Sequence, residues 1–541
     1  MGGPAWKVGE TMRRVFIPLL PLLLLGCWPG AQPEGPSPSA AGPGAPSTAL
    51  IDESHSATDP LAVVIDTSST MTLTDFGPGP RIDAARDAVV HIARSHPNTP
   101  LTVVGASAQV NDSEDHAERG CSDAQPIWPQ NIPASDELQS ALAGLQFGGW
   151  STLRPALYEA SGSSDTPRQL LLLADGRDDC GSPTLCEAAK SIAEQGNRIS
   201  VVALRTTEPD LECVATAAGG FFTTADNREQ LIARARAAVD PPRAASLLSP
   251  SGYQNVGIGM EITGIQDRHP SFPQLDASAE PAQLDGKTLQ VVQWRDASWY
   301  FDGPTLKAIS TKDLPTIDGY RAGNPVLDAE RFLGAPVARQ DSTQGATLLY
   351  PANLSGLSWR LTVDDDRITD IMLCDCGLPG TDGLTLSFRG IGGLRFGQRD
   401  LEELGAIQRI DDPCRTFTSS ERYQRAGVSL ALADEENGDH RLTEITLLAD
   451  EGETSVARTY AGAAAGMTFR EIRTRHPEIQ FEVKEGNGGR FSVASIRSGS
   501  QEMAFLRDWR ADDPEGVPFH DDDVIRTITV REHSPWMFGD C

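Results

Sequence analysis

The stretch LAVVIDTSSTM, residues 61–71, decides the fold of the first half of the chain. Its first five residues are apolar and rich in valine and isoleucine, which predicts a central strand buried on both faces of a sheet. Asp66 follows at once, and the next four residues, 67–70, all carry hydroxyl groups. In open α/β sheets, ligands collect at the carboxyl ends of the strands. The stretch therefore predicts a strand that ends in an oxygen-rich ligand site.

Strand and helix patterns alternate along residues 59–241, which predicts one domain. Such alternation is typical of an α/β fold with a doubly wound, mainly parallel sheet and helices on both faces. The predicted strands cover residues 61–65, 101–105, 169–173, 198–204 and 221–223. The predicted helices cover residues 81–95, 135–145, 153–160, 184–195, 211–217 and 228–238.

Residues 242–541 have a different pattern, with short strands, few long helices and a weak internal repeat. A glycine followed by a short amphipathic helix recurs at Gly259, Gly323, Gly397 and Gly466, with spacings of 64, 74 and 69 residues. We expect each copy to end in a strand pair: 289–294 with 306–309, 357–363 with 368–373, 428–433 with 442–448, and 502–506 with 524–530. The pattern predicts an α+β module of about four βαββ-like units. Chance recurrence of glycine before a helix is the alternative.

The N-terminus predicts export and anchoring. Basic residues precede an apolar run at 15–25 that is too short to span a bilayer but fits a secretory signal. The run ends in Leu24-Leu25-Gly26-Cys27, which resembles the lipobox of bacterial lipoproteins. The resemblance implies that residues 1–26 are removed, that Cys27 is lipidated, and that the protein sits in the bacterial cell envelope, periplasmic or surface-exposed. A plain signal with an incidental cysteine is the alternative. Residues 27–58, rich in Pro, Gly and Ser, predict a flexible tether.

The net charge limits the kinds of partner, and the cysteine content indicates the redox compartment. The net charge of −29 argues against nucleic acid as a partner, and we expect membrane contact through the lipid anchor only. Apart from Cys27 there are eight cysteines, an even number that suits disulfides in an exported protein. We expect Cys374 and Cys376 to pair with Cys414 and Cys541 rather than with each other. In the first half, Cys121, Cys180, Cys186 and Cys213 are the candidates for two bridges, and Cys180 and Cys186 are close enough in sequence to close one loop.

Further oxygen-bearing residues stand at two strand–helix junctions. Ser151 and Thr152 precede a predicted helix, and Asp175 follows a predicted strand. With Asp66-x-Ser68-x-Thr70, these motifs resemble the von Willebrand factor A (vWA) family, whose metal-ion-dependent adhesion site uses Asp-x-Ser-x-Ser, a Thr and an Asp on three loops. The resemblance covers roughly residues 58–240. It implies that Asp66, Ser68 and Thr70 supply the first loop, Ser151 the second and Asp175 the third. Thr152 is the rival ligand on the second loop.

This set of ligands predicts a hard divalent cation, Mg²⁺ or else Ca²⁺ or Mn²⁺, because these ions take oxygen ligands. Two carboxylates and neutral hydroxyls leave coordination positions open, so an acidic side chain of a protein ligand could complete the shell. We therefore expect a binding protein and not an enzyme. One alternative is an envelope enzyme, or a factor that recruits one, with activity in the C-terminal module around the acidic clusters at residues 364–366 and 521–523. The other is a degenerate site whose oxygens only bond one another.

Overall fold

The computed structural model describes residues 60–106, 121, 124–132, 136–162, 166–275, 280–343, 345–399, 416–418, 420–434, 440–486, 489–507 and 519–532. Among these residues the first sheet contains six strands in the order β3-β2-β1-β4-β5-β6, all parallel except β3. This confirms the predicted mainly parallel sheet. The strands are β1 Leu61–Asp66, β2 Leu101–Ala106, β3 Ala124–Ile132, β4 Gln169–Ala174, β5 Arg198–Leu204 and β6 Gly219–Ala225.

Helices cover both faces of this sheet, because alternate residues of β1 enter two separate cores. Val63 and Ile65 pack with α1, α2 and α6, whereas Ala62 and Val64 pack with α3, α4 and α5. Side chains alternate across a strand, so a strand that is apolar throughout is covered twice. The helices are α1 Arg81–Ser95, α2 Asp136–Ala143, α3 Leu153–Ser161, α4 Leu185–Glu194, α5 Pro209–Ala217, α6 Arg228–Ala238 and α7 Pro241–Ala245.

The second sheet is antiparallel and contains eight strands among the described residues, in the order β11-β12-β13-β14-β10-β9-β8-β7. The sheet consists of two four-strand meanders side by side, and the last strands of the two meanders, β10 and β14, pair at its centre. The elements are α8 Ile262–Arg268, β7 Glu280–Leu284, β8 Lys287–Trp294, β9 Ala297–Asp302, β10 Thr305–Thr311, α9 Val326–Leu333, β11 Ala338–Ser342, β12 Gly345–Pro351, β13 Ser358–Asp364 and β14 Arg367–Cys374.

Two further sheets complete the described part of the chain: a small mixed sheet and a larger antiparallel one. The small sheet has the order β17-β16-β15-β21, and the larger one has the order β18-β19-β20-β25-β24-β23-β22. The elements are β15 Thr385–Ser387, β16 Gly390–Ile391, β17 Leu394–Arg395, β18 Thr416–Thr418, α10 Glu421–Arg425, β19 Val428–Asp434, β20 His440–Leu448, β21 Arg458–Thr459, α11 Phe469–Arg475, β22 Gln480–Gly486, β23 Gly489–Ser498, β24 Gln501–Arg507 and β25 Ile525–Glu532.

The glycines singled out in the sequence make matching backbone hydrogen bonds. Each has a positive φ, between 76° and 95°, and donates its N–H to a residue in or beside the last strand that follows it. That residue donates back to the carbonyl of the residue after the glycine. The bonds are Gly259–Leu306 at 2.8 Å, Gly323–Ile368 at 2.7 Å, Gly397–Leu442 at 2.9 Å and Gly466–Ile525 at 2.7 Å. In the first copy β8 pairs with β9 and β9 with β10, so the strand pair expected from 289–294 and 306–309 is wrong.

The disulfides differ in part from the expectation. In the described part of the chain Cys121 bonds Cys180, Cys186 bonds Cys213, and Cys374 bonds Cys376. The expectation that Cys374 and Cys376 would not pair with each other is therefore wrong, and so is the expected bridge between Cys180 and Cys186. Residues two apart at a strand end point to the same side, and both cysteines enter one small apolar cluster, with Cα atoms 5.1 Å apart.

Several predictions fall outside the described residues. The signal, Cys27 and the tether lie in 1–59, and Cys414 and Cys541 lie in other undescribed segments. None of the helices that the structure describes is long and apolar enough to cross a membrane.

Candidate metal site

The site lies at the carboxyl edge of the first sheet, between its two central strands. Asp66 is the last residue of β1, and Asp175 follows β4 directly. These strands are parallel neighbours, with Ile65 opposite Leu173, so both carboxylates emerge at the same edge. The strand order reverses between β1 and β4, and this switch point opens the crevice in which α/β sheets bind ligands.

The three predicted loops meet there through hydrogen bonds. Asp66 accepts the Ser68 N–H at 2.9 Å through Oδ1 and the Ser151 hydroxyl at 3.2 Å through Oδ2. The hydroxyl oxygens of Ser68 and Thr70 are 3.0 Å apart, and Thr70 donates to Asp175 Oδ1 at 2.8 Å. Asp66, Ser68, Ser151 and Asp175 are buried, whereas Thr70 is exposed. The structure thus brings five of the six predicted residues into one bonded cluster.

Ser151 and Thr152, the two candidate ligands of the second loop, differ in their contacts. Ser151 Oγ reaches Asp66, whereas Thr152 is the buried residue that immediately precedes α3. Two acidic residues that follow Asp175 accept backbone N–H groups at this loop. Asp179 accepts the Ser151 N–H at 2.9 Å, and Asp178 accepts the Arg154 N–H at 3.2 Å. Asp178 and Asp179 therefore orient the second loop and are not among the predicted ligands.

Arg81 is a member of the site that the sequence did not predict. It begins α1 and is buried, and its Nη1 donates to Asp175 Oδ2 at 2.8 Å. Its Nε donates to Asp75 at 2.7 Å. Asp175 therefore has one oxygen on Arg81 and the other on Thr70. Arg81 lies 94 positions from Asp175 in sequence, so no local motif could have identified this pair.

The electrostatics of the cluster favour a further cation. Burial, together with the charge of Asp175, raises the pKa of Asp66 to about 7. Burial also raises the pKa of Asp175, although the charge of Arg81 opposes this. A buried carboxylate whose neighbours are hydroxyls and another carboxylate is poorly stabilised in its charged form. One built-in guanidinium does not neutralise both acids.

The residues fit a hard divalent ion. Carboxylate and hydroxyl oxygens are the donors that Mg²⁺ and Ca²⁺ accept, and Mg²⁺ keeps several waters. Within the described ranges no group of three or more His, Cys, Asp or Glu is placed to hold a metal ion. The present cluster has two carboxylates and takes its other oxygens from Ser68, Thr70 and Ser151, so it belongs to a different class of site.

The mouth of the site includes residues from the last part of the chain. A cavity of about 240 Å³ is lined by the metal-site loops and by Arg177, Arg497, Gly499 and Ser500. Arg497 lies at the end of β23, and the following turn lies against the loop after β5, where the Thr207 N–H donates to Ser498 Oγ at 3.1 Å. A ligand at this mouth would therefore contact both the first domain and the C-terminal module.

A chain of buried charges leads from the site into the C-terminal module. Arg205, after β5, lies 3.5 Å from Asp75 and 3.3 Å from Glu478. Glu478 also accepts hydrogen bonds from His476 Nδ1 and the Tyr460 hydroxyl, both at 3.0 Å. Burial would raise the pKa of Glu478, but the charges of His476 and Arg205 outweigh it and lower the pKa to about 2. The protein itself therefore supplies the groups that stabilise this carboxylate.

The acidic clusters of the C-terminal module are structural. Asp365 and Asp366 both have positive φ and form the two-residue turn between β13 and β14. The carbonyls of Asp521 and Asp523 accept N–H groups of α11, and their side chains pair with Arg470 and Arg507. These two clusters therefore serve as a turn and as a helix support.

Comparisons with known proteins add little to this geometry. No known family profile matches the chain, and no curated protein matches it in sequence. Among solved structures, it is similar to the hypothetical protein BatB from Bacteroides thetaiotaomicron, with 16% identity over 31% of this chain and 91% of that one, and a TM-score of 0.26. It is also similar to the SpRpn10 VWA domain, with 13% identity over 33% and 95% of the two chains and a TM-score of 0.28.

A third similar structure is proximal thread matrix protein 1 from the mussel byssus, with zinc in its metal-ion-dependent adhesion site. The identity is 14%, over 36% of this chain and 50% of that one, and the TM-score is 0.27. Scores this low carry no argument about function, which must therefore come from the residues of the site itself.

Proposed function

We propose that this protein is a binding protein that engages a protein ligand through a divalent cation at the carboxyl edge of its first sheet. The observation that carries the proposal is the buried Asp66, whose pKa is raised to about 7 by burial beside a second carboxylate. A site that only needed to satisfy its own hydrogen bonds would not require a charged group there. A bound cation would stabilise the charged form of Asp66 and offset the free-energy cost of burying that charge.

Asp66, Ser68, Thr70, Ser151 and Asp175 would hold the ion. The ion would supply positive charge with open coordination positions at the mouth of the cavity. The protein residues fix the oxygens, and the Arg81 contact keeps Asp175 in place. Mg²⁺ suits a site with few carboxylates, because it keeps several waters and exchanges one of them for a ligand oxygen.

An acidic side chain of the partner is the group best suited to this mouth. Arg177 and Arg497 line it, Arg177 paired with Asp179 at 3.8 Å and Arg497 with Glu482 at 2.8 Å, and their guanidinium groups favour a carboxylate over a basic ligand. The cavity, of about 240 Å³, has room for one side chain and a few waters. We therefore propose that the partner contributes one Asp or Glu to complete the metal shell.

The C-terminal module, residues 242–541, would consist of four related units that present and support this site. The matching hydrogen bonds at Gly259, Gly323, Gly397 and Gly466 support four units, and the Arg205–Glu478 pair joins the last of them to the first domain. We propose a binding role for this module and not an enzymatic one. We further propose that Cys27 is lipidated and anchors the protein in a bacterial cell envelope, on the basis of the Leu-Leu-Gly-Cys motif.

A random-peptide display library tests the proposal and needs no identified partner. Peptides are bound to the immobilised protein in Mg²⁺ and released with EDTA. We expect the released peptides to be enriched in Asp or Glu at one position, and alanine at that position to abolish binding. The Asp66→Ala variant is the matched control and should select nothing by this procedure. Peptides that bind equally well in EDTA would contradict the proposal.

A further inference from the structure

A second cavity, of about 970 Å³, lies beside the metal site but has different walls. One wall comes from the first domain, around Glu208 and β6. The others come from the segment before α8, the β16–β17 hairpin and the turn after β23. Its volume is at the upper end of the range for small-molecule sites, about 300–1,000 Å³. None of the metal ligands lines it.

Three arginines line this cavity from separate elements. Arg268 ends α8, Arg395 ends β17, and Arg389 precedes β16. Arg268 donates to the Asn255 carbonyl at 3.0 Å, and Arg395 donates to the Leu394 carbonyl at 3.2 Å. The guanidinium of Arg389 makes no hydrogen bond or ion pair in the part of the chain that the structure describes.

The positive charges are poorly compensated by the protein. The contact of Arg395 with Asp375 is long, at 3.9 Å, and Asp375 also pairs with Lys307 at 3.2 Å. Burial, and then the charge of Arg389, lower the pKa of Arg395. The two guanidinium groups are therefore close enough to repel each other. Within the described ranges no carboxylate of the cavity wall forms an ion pair with Arg389.

The Arg389 guanidinium lies against the backbone of Gly259. A Cβ atom at Gly259 would lie 3.4 Å from Arg389 Nη2, and the φ of +95° at Gly259 is one that other residues rarely adopt. The guanidinium thus lies directly over exposed backbone at the rim of the cavity. A planar guanidinium binds carboxylate or phosphate oxygens in a bidentate manner, and two such groups suit one anion.

We propose that this cavity binds a small anionic ligand, through a carboxylate or phosphate group held by Arg389 and Arg395. The site is separate from the metal site and does not depend on the function proposed above. The anion would supply the negative charge that the protein does not place beside Arg389 among its described residues. The acidic Glu208 and Glu212 on the other wall would repel a second anionic group, so the ligand would have its negative charge at one end.

Calorimetric titration tests this directly, with inorganic phosphate and glutarate as separate probes at constant ionic strength and without divalent cations. We expect saturable one-site binding of at least one probe, and the stronger probe identifies phosphate or carboxylate as the preferred group. Arg389→Gln should weaken binding at least tenfold, and Arg389→Lys should retain part of it. Because Arg389 is half-buried and its guanidinium bonds none of the described residues, these variants should melt at the temperature of the unmodified protein.

Arg360→Gln is the matched control, because Arg360 lies on β13, pairs with Asp285 and does not line the cavity. It should bind the probes normally. The inference is overturned if neither probe binds saturably, or if Arg389→Gln binds as tightly as the unmodified protein. Loss of metal binding would leave these results unchanged, so failure here and failure of the metal site can be told apart.

Discussion

Asp66 and Glu478 are both buried carboxylates, yet their environments act in opposite directions. The pKa of Asp66 is raised to about 7, because burial and Asp175 disfavour its charge. The pKa of Glu478 is lowered to about 2, because His476 and Arg205 overcome the effect of burial. Glu478 has its cations supplied by the chain. Asp66 faces hydroxyls and another acid, and under the function proposed above its cation comes from solution.

The comparison separates a structural acid from one that we propose binds a metal ion. A buried charge is tolerated when it is paired and hydrogen-bonded, and it is costly otherwise. The chain pairs Glu478 with Arg205 across the boundary between the first domain and the last unit. Around Asp66 the chain places hydroxyl oxygens and a second carboxylate, and this arrangement is the one expected of a metal site.

The largest expected effect is at Glu478. Glu478→Gln leaves Arg205 and His476 without their carboxylate, and we expect the free energy of unfolding at pH 7 to fall by about 3 kcal/mol or more. Denaturant unfolding measures the change. Glu421→Gln, at an exposed residue that pairs with Arg425 at 3.8 Å, is the control and should cost less than about 0.5 kcal/mol. If both variants lose equally little stability, Glu478 is not the structural acid that the comparison takes it to be.

The same residue gives a pH dependence with a defined sign. The pKa of Glu478 is about 2 when folded and 4.5 ordinarily, so the unfolded chain binds more protons between these values. The stabilisation is therefore present above about pH 4.5 and is lost as the pH falls toward 2. The destabilisation in Glu478→Gln should shrink over that window. A difference that stays constant from about pH 7 to about pH 3 would contradict the assignment.

The next effect has the opposite direction. Asp66→Asn removes a poorly stabilised charge, and we expect the metal-free protein at about pH 7.5 to become more stable, by at most about 4 kcal/mol. The folded state of the unmodified protein holds the proton more tightly, so its metal-free stability should fall as the pH rises from about 4 to about 7. The slope should be shallower in the variant, because the other buried acids with raised pKa values still contribute to it. Thermal unfolding in EDTA across that range measures both, and a destabilised variant would count against the assignment.

The smallest effect concerns the second loop. Ser151→Ala removes the hydroxyl that reaches Asp66, and we expect metal affinity to fall about tenfold. Thr152→Ala should change the affinity less, because the structure puts the Ser151 oxygen in the cluster. Metal titration of the two variants side by side measures the difference. A larger loss in Thr152→Ala would reverse the assignment of the ligand.

The sequence predicted the parts of the molecule that local patterns specify. The apolar run of β1 predicted a buried central strand. The oxygen-bearing residues after β1 and β4 predicted the edge of the sheet at which the site lies. Strand β3 was missed because AQPIWPQNI contains two prolines and no clear alternation, as suits an edge strand. The Arg81–Asp175 and Arg205–Glu478 pairs were missed because their members are far apart in sequence, and only the folded chain brings these charges together.

The central claim is that Asp66 belongs to a cation site, and calorimetric titration of Mg²⁺, Ca²⁺ and Mn²⁺ into the metal-stripped protein tests it most directly. Asp66→Asn, which we expect to fold at least as stably, is the matched control. We predict saturable one-site binding by the unmodified protein and none by the variant. If neither protein binds any of the three ions, or if both bind equally, the oxygens at this edge only bond one another, and the central claim is wrong.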